Sequence, residues 1–66
     1  MVVKWGKFWD HNYMIKYDYG LYFGSFIYES CYHGSSGYDT IELAEKATTD
    51  MIVSLVAQTL HMEQHA

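Results

Sequence analysis

The chain has no proline and no arginine, and Cys31 is its one cysteine. A lone cysteine excludes an internal disulfide. A chain of 66 residues buries only about 60% of the surface its unfolded form exposes. Stability must therefore come from economical packing, from association with a second copy, or from both. The missing arginine is the side chain best suited to reading guanine. Four lysines against eight acidic residues leave no cationic cluster to follow a phosphate backbone, so duplex DNA and RNA are not expected partners. The stretch without charged side chains near the C-terminus runs only from 51 to 62, short of the roughly 20 residues that cross a bilayer. Lys4 and Lys7 are not followed by the apolar core of a secretory signal. With a lone thiol suited to a reducing compartment, the expected location is the cytoplasm.

What is present divides into two unlike halves. Residues 1–37 balance Lys4, Lys7 and Lys16 against Asp10, Asp18 and Glu29, whereas 38–66 set Lys46 against Asp39, Glu42, Glu45, Asp50 and Glu63 and so hold the whole charge of -4. Every aromatic residue lies between Trp5 and Tyr38. Nothing resembling a linker separates the halves, which therefore read as two layers of one domain, 1–66.

The first half predicts three antiparallel strands, near 2–9, 13–18 and 21–32. Asp10-His11-Asn12 and Asp18-Tyr19-Gly20 supply turn residues. Between them Tyr13, Ile15 and Tyr17 alternate with Met14 and Lys16. The third strand is expected to bend at Gly24-Ser25, where an internal glycine suggests a bulge. The second half predicts one helix, about 39–63. Asp39 reads as its N-cap with Glu42 completing a capping box, and Tyr38 and Leu43 form a hydrophobic staple. Ile41, Ala44, Thr48, Met51, Ile52, Leu55 and Met62 share one face, which should lie on the sheet, while Glu42, Glu45, Lys46, Thr49 and Asp50 stay wet. The expected fold is α+β: a three-stranded meander followed by one long helix.

Hydrophobic surface is in excess of what this fold needs. Val53, Val56 and Leu60, with Ala57 beside them, form a second apolar stripe. It fits either a thick core or a homodimer interface, and the reading adopted is the homodimer. One face of three short strands offers roughly nine positions, fewer than the aromatics together with Val2, Val3, Met14, Ile15, Leu21 and Ile27. Some aromatics should therefore line a contact surface, a role that suits tyrosine. They could also be β-forming residues with exposed hydroxyls.

Two functional readings follow. In the first, a non-enzymatic homodimer sequesters a nucleotide-like or other flat-ring molecule. Trp5, Trp9, Tyr13 and Tyr32 would stack on the ring, and Ser35, Ser36, Lys4 and Lys7 would hold its polar part. The His33-Gly34-Ser35-Ser36-Gly37 loop before the helix could approach an anion, or serve as a plain connector. In the second, the acidic helix face of Glu42, Glu45 and Asp50 meets a basic patch on a host protein or toxin. An assembly role using the same surfaces is a third. Cys31, His33, His61 and His65 could offer zinc ligands, although a strand cysteine is more often a small buried hydrophobe. No metal, cofactor or catalytic set is expected, since the acids cluster on the helix, away from Cys31 and the serines.

Two segments carry a resemblance. The run Tyr13-Met14-Ile15-Lys16-Tyr17-Asp18-Tyr19-Gly20-Leu21-Tyr22-Phe23 resembles the opening hairpin of HicB-type antitoxin domains. Gly37-Tyr38-Asp39-Thr40-Ile41-Glu42-Leu43-Ala44-Glu45-Lys46-Ala47 is similar to their glycine, Asp-Thr cap and alanine-bearing helix. The resemblance implies strands followed by a helix, and inhibition of a toxin by contact. The chain departs from the family pattern in lacking the proline of the third-strand segment. In size, acidity and single-domain build it also resembles small phage-encoded counter-defence proteins, which would imply action in a host cytoplasm by blocking a protein or sequestering a signal molecule.

Overall fold

The computed structural model describes the backbone of residues 1–65 and the side chains of 1–61. Four strands, β1 (Val2–Phe8), β2 (His11–Asp18), β3 (Leu21–Tyr28) and β4 (Cys31–Gly34), precede one helix, α1 (Ile41–His65). The strands form an antiparallel sheet in the order β1-β2-β3-β4. The architecture is thus α+β with a C-terminal helix, and the sheet has a fourth strand where three were expected.

The extra strand comes from an unexpected turn. All three hairpins close through two residues with positive φ: Trp9-Asp10 (50° and 63°), Tyr19-Gly20 (51° and 76°) and Glu29-Ser30 (50° and 66°). That geometry matches the right-handed strand twist and normally selects Asn-Gly or Asp-Gly. Glu29-Ser30 carries neither signature, so 21–32 read as one strand. The first turn likewise falls at Trp9-Asp10, and His11 and Asn12 begin β2. No bulge occurs at Gly24-Ser25, where pairing runs unbroken from Met14↔Ser25 to Ile15↔Gly24. The register shift lies instead in β1, between Val2 and Lys4.

Gly24 has a different role. A β-carbon there would lie 1.6 Å from Thr48 Oγ1 and 3.3 Å from the Ala44 carbonyl oxygen, so the glycine lets α1 rest directly on β3. Thr48 is fully buried at this crossing and donates its hydroxyl to the Ala44 carbonyl, 2.7 Å away. The core is completed by Tyr13, Ile15, Phe26, Ala44 and Ile52, with Met51, Leu55 and Val56 packed against it. This agrees with the helix face derived from periodicity for Ala44, Thr48, Met51, Ile52 and Leu55; Ile41 is half-buried at the helix start outside this cluster, Val56 joins it from the second stripe, and Met62 lies outside the described side chains.

Thr40, rather than Asp39, caps the helix. Its hydroxyl accepts the Leu43 N–H at 3.2 Å, and its carbonyl accepts that of Ala44. Both residues are good caps, and the one-residue difference moves Glu42 and Leu43 out of the capping-box and staple positions. A helix of 25 residues is about 37 Å long, against about 27 Å for an eight-residue strand. The molecule accordingly extends 44 × 17 × 17 Å, with the end of α1 overhanging the sheet. No helix among the described residues is long and apolar enough to cross a membrane.

Candidate functional site

Strand alternation assigns each side chain to one of two faces. Tyr13, Ile15 and Phe26 turn toward α1. Trp5, Met14 and Ser25, paired in one row that ends at Gly34, turn the other way, onto a face that no helix covers. Trp5 is 68% exposed, and Ile27 and Tyr32 are each 67% exposed. All three border one depression, so these exposed apolar side chains are grouped rather than scattered.

This face is concave because its middle row has small residues. Gly34 carries no side chain, and Tyr32 leans into the gap, its ring 3.5 Å from the position a Gly34 β-carbon would take. Ser25 forms the floor. A depression of about 390 Å³ is lined by Trp5, Asn12, Met14, Ser25, Ile27 and Tyr32, among others. A second, of about 420 Å³, adjoins it through Ser25 and Tyr32 and reaches Lys16, Asp18 and Phe23.

Ser25 is only 3% exposed, and its hydroxyl has no hydrogen-bond partner among the described residues. Leaving such a group unpaired costs about 1–3 kcal/mol. A buried hydroxyl of this kind calls for a partner that the described residues do not supply.

Of the aromatics expected to form one site, Trp5, Tyr13 and Tyr32 all border the first depression and Trp9 does not, while the Tyr13 hydroxyl is engaged on the helix side. Trp5 and Tyr32 stand on the open face. Tyr13 faces α1, where its hydroxyl donates to Glu45 Oε2 at 2.9 Å, and its ring covers Gly6. Trp9 sits in the first turn and stacks on Phe8 with ring centroids 5.1 Å apart. Lys4 pairs with Glu45 at 2.8 Å, and Lys7 lies 3.7 Å from Asp10. The Ser35 hydroxyl accepts the Gly24 N–H and donates to the Ser36 carbonyl, both at 2.8 Å. It thereby replaces a ladder acceptor where the chain leaves β4 and rejoins β3 through Tyr22↔Tyr38. The 33–37 loop is thus a backbone splice, and Ser36 is exposed on it. Met14, Ser25, Ile27 and Lys16 were missed as site residues. Strict alternation would have found them had Gly24-Ser25 not suggested a bend.

The second helix stripe is narrower than its spacing implies. Val56 packs against the core and Val53 is half-buried, leaving Ala57 and Leu60 exposed. The acidic helix face is partly neutralised, because Glu45 pairs with Lys4 and Asp50 with Lys46 at 3.0 Å. Cys31 is exposed, and His33 stacks on Phe26 with centroids 5.2 Å apart. His65 lies outside the described side chains, and no group of three or more potential metal ligands occurs among the described residues.

The Lys4–Glu45–Tyr13 cluster fastens α1 to β1 and β2. The hydrogen bond from the Lys4 ammonium holds the Glu45 carboxyl below its ordinary value of 4.5; desolvation opposes this shift, while the Tyr13 hydroxyl reinforces it. Burial, followed by the bond to Glu45, pushes the Tyr13 phenol up. A depressed carboxylate stabilises the fold above its unfolded pKa, and that contribution is lost as pH falls through the folded one. Glu45→Gln should therefore be less stable than the parent at pH 7, with the gap closing below about pH 4.5. Urea unfolding across this range checks it, and a gap independent of pH would assign Glu45 a packing role only.

Compared with protein-family models, curated proteins and solved structures, the chain matches none.

Proposed function

We propose that the protein is a non-catalytic binding module that holds a small molecule with a flat ring, of the size of a nucleobase, on the open face of its sheet. The observation that carries this reading is the unpaired Ser25 hydroxyl at the floor of a depression walled by Trp5 and Tyr32. Aromatic walls supply stacking, worth about 1–3 kcal/mol per base. A single buried hydroxyl supplies orientation through one hydrogen bond, in keeping with mostly apolar sites that carry few polar groups. Binding alone lowers the free concentration of such a molecule, which is how a counter-defence protein that sequesters a signal would act. The reading does not depend on a second copy, because the depression is formed within one chain.

Titration with adenosine, guanosine, cytidine and uridine, followed by tryptophan fluorescence, tests it directly. Quenching should be lost in Trp5→Ala and retained in Trp9→Ala. Absence of binding to all four nucleosides at millimolar concentration would overturn the reading. Ser25→Ala separates binding from stability. Removing an unpaired buried hydroxyl should leave thermal stability unchanged or raise it by up to about 1 kcal/mol, while nucleoside affinity falls about tenfold. A loss of stability instead would mean that the hydroxyl is satisfied within the fold.

A further inference from the structure

The two depressions on the open face adjoin through shared Ser25 and Tyr32 and carry different charged or titratable groups at their margins, Asp10 and His11 in the first and Lys16 and Asp18 in the second. The first is walled by Trp5, Met14, Ile27 and Tyr32. The second brings in Lys16 and Asp18 of β2 and Phe23 of β3. Lys16 stands two residues from Met14 on the same face, about 7 Å along the strand. Lys4, Lys7 and Lys46 each lie within ion-pair distance of a carboxylate. Among the described residues Lys16 is the lysine with no such pair, so its ammonium is free to take an anion.

We infer that the ligand is a nucleoside monophosphate, its base stacked in the Trp5–Tyr32 depression over the Ser25 hydroxyl and its phosphate set against Lys16 in the adjoining one. This rests on the flat-ring reading above and adds the anionic group. One lysine, with the Asp18 carboxylate two residues along the same strand face, can offset no more than a single phosphate. A triphosphate or a nucleic-acid strand would bring more negative charge than this face can offset on a chain of net charge -4.

The test compares adenosine with adenosine 5′-monophosphate, and the corresponding guanosine, cytidine and uridine pairs, by calorimetry at low salt. Parent, Lys16→Gln and Lys46→Gln proteins are used, with thermal midpoints recorded for each. The monophosphate should bind the parent about three- to tenfold more tightly than its nucleoside. Lys16→Gln should erase that advantage while leaving nucleoside affinity in place, and Lys46→Gln should retain it. Equal binding of nucleoside and monophosphate, or an advantage that survives Lys16→Gln, overturns the phosphate assignment and leaves the flat-ring reading standing. Failure of every nucleoside and monophosphate to bind overturns both. A single-stranded oligonucleotide held more tightly than the monophosphate at the same salt overturns the assignment in favour of a strand.

Discussion

Gly24→Ala is expected to lower stability by about 3 kcal/mol, at the upper end of what overpacking a core costs. A chain of this length has a total stability of roughly 3–10 kcal/mol, so the substitution should remove about a third of it or more. The cause is local. The added β-carbon would lie 1.6 Å from Thr48 Oγ1 and 2.9 Å from Thr48 Cβ. It would also crowd the Ala44 carbonyl, which belongs to the helix backbone and cannot rotate away. α1 would have to lift from β3, opening the layer that buries Ile15, Phe26 and Ile52. Thr48→Ala alone should cost about 1 kcal/mol, comparable to deleting one buried methyl group. In Gly24→Ala/Thr48→Ala the new methyl enters the space the threonine leaves. The double variant should therefore be more stable than the sum of the single effects by about 1 kcal/mol or more. Additive effects in urea denaturation would show that the crossing of α1 over β3 is looser than described.

The second large effect separates the two faces of the sheet with one substitution made twice. Ile15→Ala should cost about 3 kcal/mol, because Ile15 is fully buried beneath α1. Ile27→Ala should change stability by less than about 0.5 kcal/mol, because Ile27 stands on the open face, 67% exposed. Their ligand effects should run the other way. Ile27 lines the aromatic depression, so its truncation should weaken nucleoside binding by several-fold, while any Ile15→Ala protein that stays folded should bind normally. Denaturation and calorimetry on the two variants check both halves. Equal destabilisation would mean that the open face is covered in solution.

The open face was only half legible in the sequence. The aromatic surplus announced that some rings had to remain outside a one-helix core, and Trp5 and Tyr32 were among those singled out. Tyr13 was assigned to the same site because nothing in the alternation of β2 says which of its two faces the helix will take. Trp9 was assigned there because a tryptophan in a tight turn with positive φ is unexpected. Ser25 drew attention only as part of a supposed bend. Its burial and its lack of a partner among the described residues arise only once β3 is enclosed between β2 and β4.

The amino-acid sequence alone determined the α+β class, the antiparallel meander, the helix and its buried face, because these follow from periodicities of two and 3.6 residues and from turn and cap residues close together in the chain. It also excluded a large cationic surface. The fourth strand, the division of the aromatics between two faces and the recruitment of Lys4 and Ser35 to structural bonds were decided by tertiary structure. Each depends on energies that neighbours in space supply. The clearance of α1 over Gly24 sets which face is buried, and the pairing of β3 with β4 holds Glu29 and Ser30 in a turn that their own preferences do not favour.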